Sequence, residues 1–270
     1  PVLDLLDGIR VAGAQTFVRP VKEHRFLLVL RPEEATDADI EDTDPGVTGV
    51  APLDVVAGSP SSDRAARIAR EWLARVPETL SGQPRANMVL LRGFATLPDW
   101  PLFPDVFRMR SLAMAAYPMY RGVARLVGMD AVAVDDDPGA LLPALEERID
   151  DYDFFFLHVK GTDKAGEDGD FRQKVDIIER VDEVLPALRE TGIGVTLITG
   201  DHSTPAKMKS HSWHPVPFLL HGGPGRGHRS EGTAGLGESE CARGALGTIR
   251  GCELMPLAAA RAGRLGKFGA

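Results

Sequence analysis

From residue 88 onward, short aliphatic or aromatic runs alternate with stretches of helical periodicity, and this alternation constrains the fold more than any other feature of the chain. Met88–Leu91, Ala131–Val134, Phe154–Val159, Val195–Thr199 and Val216–Leu220 have the length and apolar character of buried strands. Between them, segments near Met119–Val127, Leu141–Ile149 and Phe171–Arg189 carry apolar residues every three or four positions, and Met255–Ala262 reads as a closing helix. Strands that take turns with helices predict an α/β sandwich around a largely parallel sheet. In the longest helical segment Phe171, Val175, Ile178, Val181, Leu185 and Leu188 form one stripe, expected to lie on that sheet as core. The glycine-rich run from Gly222 to Gly237 is expected to be a surface excursion.

The first third of the chain follows a different pattern. Val2 to Ile9 looks like the apolar face of a helix, and Ala14–Val18 and Phe26–Leu30 read as two strands joined through the basic stretch Arg19, Lys22, His24 and Arg25. From Pro32 to Asp63 the chain is rich in Pro, Gly, Asp, Thr and Ser and predicts a long loop. Ala65–Val76 then has helical spacing through Ile68, Trp72 and Val76, and Ser81-Gly82-Gln83-Pro84 closes the unit. This divides the chain into a small α+β domain, 1–84, and a larger α/β domain, 85–270. The chain opens on Pro1 in mid-pattern, which predicts a segment before it.

Composition excludes several classes of function. A chain of 270 residues with 43% hydrophobic content can bury a main core and a small second one. Its net charge of -8 opposes general binding to a phosphate backbone, so an anionic partner must be held locally by a few arginines or a metal. Cys241 and Cys252 are too few for a disulfide framework and lack zinc-site spacing, which fits a reducing, cytoplasmic setting. No apolar run reaches the roughly 20 residues that span a bilayer, and no signal-peptide pattern opens the chain. Neither nucleic acid nor membrane is therefore expected as a partner.

Three clusters of chemically capable residues follow or flank predicted strands, where α/β folds place ligand sites. They are His158-Val159-Lys160-Gly161-Thr162-Asp163 with Glu167, then Asp201-His202-Ser203-Thr204-Pro205, then His211-Ser212-Trp213-His214-Pro215. A carboxylate and an imidazole released together from a buried strand suit a divalent ion, although a lone Asp-His pair is more often a turn or a cap. Asp163 and Glu167 share a face if their segment is helical, and His211 adds a second imidazole. Mixed oxygen and nitrogen donors favour manganese, zinc or magnesium over calcium. Two adjacent ions of this kind suit phosphoryl transfer, whether by hydrolysis or by a mutase.

The ordered set His158-Val159-Lys160-Gly161-Thr162-Asp163-Lys164-Ala165-Gly166, Gly200-Asp201-His202-Ser203-Thr204-Pro205 and His211-Ser212-Trp213-His214-Pro215-Val216-Pro217 resembles the archaeal type of 2,3-bisphosphoglycerate-independent phosphoglycerate mutases. The likeness extends through Leu90-Leu91-Arg92-Gly93-Phe94, Ala115-Ala116-Tyr117-Pro118-Met119-Tyr120-Arg121-Gly122 and Lys267-Phe268-Gly269-Ala270, and is weakest over the first 80 residues. It implies an alkaline-phosphatase-like α/β/α sandwich with a smaller α+β cap domain. It also implies two divalent cations, manganese first, with magnesium, zinc or cobalt as alternatives. The implied reaction interconverts 3-phosphoglycerate and 2-phosphoglycerate through a phosphoserine enzyme. Asp201 and His202 would bind the metal shared with the serine, and Asp163 and His211 the metal facing substrate. Glu167 stands where the family usually has histidine, and Arg121 where related enzymes have a lysine beside the transferring phosphoryl group. The family's serine and first metal-binding Asp-Gly segment have no equivalent among residues 1 to 150, so the chain alone is expected to be inactive.

Several residues keep two readings. His158 and Lys160 either hold a substrate carboxylate or phosphate, or are strand-end residues bonded to backbone. His214 either orients His211 or touches substrate, or else simply packs beside Trp213 in its loop. His24 and Arg25, with Arg19 and Lys22, form either an anion clamp or a solvated basic edge. Asp168 and Asp170 are expected to cap the long helix rather than bind metal. A metal-dependent phosphohydrolase and an inactive fragment or pseudoenzyme remain as alternatives to the mutase.

Overall fold

A computed structural model describes residues 2–21, 24–223 and 235–265. The chain divides into two compact units, Pro1–Asp99 and Trp100–Ala270, whereas the turn residues of the sequence suggest a division at 84.

In the first unit, helix α1 (Val2–Asp7) leads into strands β1 (Ala14–Pro20) and β2 (Phe26–Pro32), which pair antiparallel with Phe17 opposite Val29. The loop that follows is held by an isolated bridge between Ile40 and Ala57. Helix α2 (Asp63–Thr79) carries Pro77 two residues before its end. Its apolar face buries Ile68, Trp72 and Val76 against Leu6, Val18 and Leu80. The strand expected at Met88–Leu91 does not form. Met88 and Leu90 are exposed, and only Leu91 is anchored: its carbonyl accepts from Thr43 N at 2.9 Å, and its N–H donates to Thr43 Oγ1 at 2.8 Å. One partner residue is too little for a ladder.

The second unit begins with the short helix α3 (Phe103–Phe107) and strand β3 (Ser111–Ala115). Helix α4 (Pro118–Leu126), strand β4 (Asp130–Val132), helix α5 (Pro138–Glu146) and strand β5 (Phe154–His158) follow, giving a parallel sheet of order β4-β3-β5. All five residues of β3 are buried. Arg110 Nε donates to Asp153 Oδ2 at 3.1 Å and Arg264 NH2 donates to Asp153 Oδ1 at 3.0 Å, tying the starts of β3 and β5 to the end of the described chain.

Helix α6 (Gly161–Asp168) starts three residues after β5 and ends at Gly169, whose φ of 76° suits a glycine after a last turn. Helix α7 (Phe171–Glu190) is capped by Asp170, whose carboxylate accepts from Gln173 N at 2.9 Å. Asp168 instead closes α6, so only one of the two expected caps serves α7. The stripe on α7 is only partly core. Leu185 and Leu188 join the cluster around Leu112, Met114 and Leu145, but Phe171 is 71% and Ile178 52% exposed. It is Ile177, not Ile178, that lies against Gly161 of α6, so the helix is rotated from the expected orientation.

Strands β6 (Val195–Ile198) and β7 (Leu219–Gly222) form a separate antiparallel pair. The expected single, largely parallel sheet is thus two sheets among the described residues of the second unit. The last strand starts at Leu219 rather than Val216 because Pro215 and Pro217 lack the N–H a ladder needs. Helices α8 (Glu238–Cys241) and α9 (Leu254–Arg261) complete the unit. Most of the Gly222–Gly237 run, Lys22, and Lys267 to Ala270 lie outside the described residues.

Candidate metal centre

The end of β5 and the first turns of α6 project His158, Lys160, Asp163 and Glu167 in sequence. Asp163 and Glu167 are one helical turn apart and so share a face. The segment after β6 supplies Asp201 and His202, and a turn at Pro205, closed by Lys209 N donating to the Pro205 carbonyl at 3.1 Å, brings the chain back to His211. Ser212 N donates to the Ser203 carbonyl at 2.9 Å, which holds the two limbs of this loop together.

These elements bring Asp163, His202 and His211 into one group whose ligand atoms all lie within 4.8 Å of one another. His211 Nε2 is 3.5 Å from Asp163 Oδ1 and 3.5 Å from Glu167 Oε1. His202 Nε2 is 3.4 Å from Asp201 Oδ2, and the two imidazole rings lie 3.9 Å apart. Through these contacts Asp201 and Glu167 flank the group, so the five residues expected to ligate metal are neighbours. Asp163 is the least exposed of them, and the others reach solvent. Two imidazoles and the Asp163 carboxylate, with donor atoms within 4.8 Å of one another, fit a divalent cation by donor chemistry.

Electrostatics favour the ionised form of Asp163. Burial pushes the Asp163 carboxyl up, but hydrogen bonds from Lys160 and from Thr204, and the Lys160 charge, more than offset it and hold it below its ordinary range. Lys160 Nζ contacts Asp163 Oδ2, and although burial lowers the ammonium, this contact and the neighbouring Asp163, Tyr120 and Glu167 raise it overall. His158 is lowered, chiefly by burial, and is thus neutral near pH 7; its Nδ1 is buried without a partner. Its ring stacks on Tyr120 with centroids 3.6 Å apart.

The remaining sequence candidates fall elsewhere. Arg121 NH1 donates to the carbonyls of Ala115 and Ala116, both at 2.6 Å, pinning the guanidinium to the end of β3, the neighbour of β5. His214 stacks on Trp213, its Nδ1 is 2.8 Å from Ser212 Oγ, and its contacts stay within the loop that presents His211. His24 and Arg25 stand at the β1–β2 turn, where Val21 N donates to the Arg25 carbonyl at 3.1 Å, in the first unit.

Sequence reasoning did not single out Tyr120 or Thr204. Thr204 Oγ1 donates to Asp163 Oδ1 at 2.6 Å and lies 3.1 Å from His202 Nδ1. Nothing local in the sequence marks either residue, because the partners of Thr204 and Tyr120 include Asp163 and His158, far away in the chain.

The profile of the Metalloenzyme superfamily matches residues 34–261, and the chain belongs to that superfamily. Within it the chain is similar to proteins named probable 2,3-bisphosphoglycerate-independent phosphoglycerate mutase. The one from Deinococcus radiodurans is 44% identical over 98% of this chain, and one from Thermus thermophilus is 45% identical over 97%. The chain spans 64% of the length of each of these relatives. A solved structure of a Pyrococcus horikoshii protein superposes with a TM-score of 0.79 and 29% identity, covering 100% of this chain and 70% of that one. The cofactor-independent phosphoglycerate mutase of Thermoplasma acidophilum matches with a TM-score of 0.66 at 22% identity, covering 97% of this chain and 68% of that one, a likeness of fold alone. Among the described residues no helix is long and apolar enough to cross a membrane.

Proposed function

We propose that this chain forms the larger part of a metal-dependent phosphoglycerate mutase that interconverts 3-phosphoglycerate and 2-phosphoglycerate in the cytoplasm through a phosphoserine. The observation that carries the proposal is the convergence of Asp163, His202 and His211 donor atoms within 4.8 Å on this superfamily's fold. Asp163, Glu167 and His211 would hold one divalent cation, and Asp201 with His202 the other. Manganese is the first assignment for both, because Asp163, Glu167 and His211 supply two carboxylates and one imidazole, Asp201 and His202 supply one of each, and such mixed oxygen and nitrogen donors suit it. Such ions polarise phosphoryl oxygens and lower the pKa of an attacking hydroxyl.

The protein's own groups do the rest. Both N–H bonds of Arg121 NH1 are engaged by main-chain carbonyls, which leaves Nε and NH2 as a fork for phosphoryl oxygens. Lys160, charged at neutral pH, and neutral His158 would hold the substrate's carboxylate or phosphate, with His214 as a further contact. The small N-terminal domain, 1–84 by the sequence reading, would act as a cap whose role is to keep water from the phosphorylated enzyme, and His24 and Arg25 would bind substrate from it. The accepting serine is assigned to no residue of this chain.

The test is an assay of the full-length protein that carries this sequence, stripped of metal and reloaded with manganese, on 3-phosphoglycerate. Formation of 2-phosphoglycerate is expected. Inorganic phosphate without 2-phosphoglycerate would instead mark a phosphohydrolase, and absence of both products together with absent manganese binding would leave a non-catalytic protein.

A further inference from the structure

We infer that Thr204 is a positioning residue that couples the two cation sites by fixing which nitrogen of His202 carries the proton. The inference rests on the two-cation reading above and deepens it. A threonine hydroxyl has one proton and two lone pairs. The 2.6 Å contact has the Thr204 hydroxyl donating to Asp163 Oδ1, which commits its one proton to that oxygen. The other contact of Oγ1, 3.1 Å from His202 Nδ1, must then be an N–H donated by the ring. A neutral imidazole with its proton on Nδ1 has a bare Nε2, and Nε2 is the atom facing Asp201 Oδ2 at 3.4 Å. One hydroxyl thus orients a carboxylate of one site and sets the ligating nitrogen of the other, the kind of outer contact that tunes metal affinity.

The position of Thr204 is itself fixed from three sides. Its side chain is 4% exposed. Its carbonyl accepts from Lys174 Nζ of α7 at 2.8 Å. Gly166 of α6 lies so close that a Cβ there would fall within 2.9 Å of Thr204 Cγ2 and against its carbonyl oxygen. The hydroxyl is therefore held in place before any cation arrives.

Thr204→Val keeps the shape and removes the hydroxyl, and Thr204→Ser restores it. Manganese binding to the full-length protein, followed by electron paramagnetic resonance, is expected to weaken about 10- to 100-fold in the valine variant and to recover in the serine variant. A merely structural role would not move the second readout, the ring nitrogen shifts of His202 in metal-free, nitrogen-15-labelled protein, assigned with His202→Gln. Wild type and Thr204→Ser should show protonated Nδ1 and bare Nε2, and Thr204→Val a mixture of tautomers. Protonated Nε2 in the wild type overturns the inference, as does a valine variant with wild-type shifts and affinity. Should the valine variant fail to fold, the wild-type shifts alone decide. If the wild type binds no manganese yet shows protonated Nδ1, the two-cation reading fails while the role of Thr204 in setting the tautomer stands.

Discussion

Glu167 lies one turn beyond Asp163, with Oε1 3.5 Å from His211 Nε2, so a carboxylate and not an imidazole flanks the group at this corner. Carboxylate oxygen favours manganese or magnesium, whereas a second imidazole favours zinc. Glu167→His is expected to shift the zinc-to-manganese affinity ratio toward zinc by about tenfold or more, read by competition titration of the two ions. An unchanged ratio would remove Glu167 from the ligand set. Asp153 shows a different use of charge. The side-chain hydrogen bond from Arg110, then its backbone N–H and the Arg264 bond, hold the carboxyl down to about 2 from an ordinary 3.8. Since the folded value is the lower one, this stabilisation is fully present above 3.8 and is lost as pH falls through about 2. Asp153→Asn should cost about 1–2 kcal/mol at neutral pH, lowering Tm by roughly 2–8 °C. In thermal melts the difference from wild type should shrink between pH 4 and 2, and a pH-independent gap would contradict the assignment.

At the scale of elements, α6 and the loop after β6 are held in contact by the missing side chain of Gly166. A Cβ there meets the Thr204 carbonyl, which is backbone and cannot swing aside. Gly166→Ala is therefore expected to destabilise the second unit by about 1–3 kcal/mol in denaturant unfolding, and to weaken manganese binding as Asp163 and His202 move apart. Stability and affinity like those of wild type would show that the packing is looser. Legibility also varied element by element. Strand β5 and helix α7 stand out in the sequence because aromatic runs and three-to-four spacing are strong local signals. Strand β3 does not, because Ser111-Leu112-Ala113-Met114-Ala115 lacks β-branched and aromatic residues, and its strand state comes from burial between β4 and β5. The reverse error occurs at Met88–Leu91, whose apolar residues have strand character but whose main chain pairs only at Leu91, with Thr43, while Val89 and Leu91 pack on the core.

For the molecule as a whole, the first unit has its own core, built around Leu6, Ile68, Trp72, Val76 and Leu80. Residues 1–99 expressed alone should melt cooperatively and keep buried-tryptophan emission, since Trp72 is their sole tryptophan and is fully buried. Red-shifted emission without a transition would refute this. In the second unit Phe171, Ile178, Met119 and Val123 are exposed, and β5 and β6 are only part-buried.

Residue identity and spacing alone determined which donor types the chain offers at this centre and that Asp163 and Glu167 share a face once their segment is helical, because each is set within a few neighbouring residues. The tertiary structure decided the rest: that His211 returns to His202, that β7 runs antiparallel to β6, and that Thr204 sits between Asp163 and His202. These depend on packing between segments far apart in the chain, and local pattern carries no record of which distant surfaces meet.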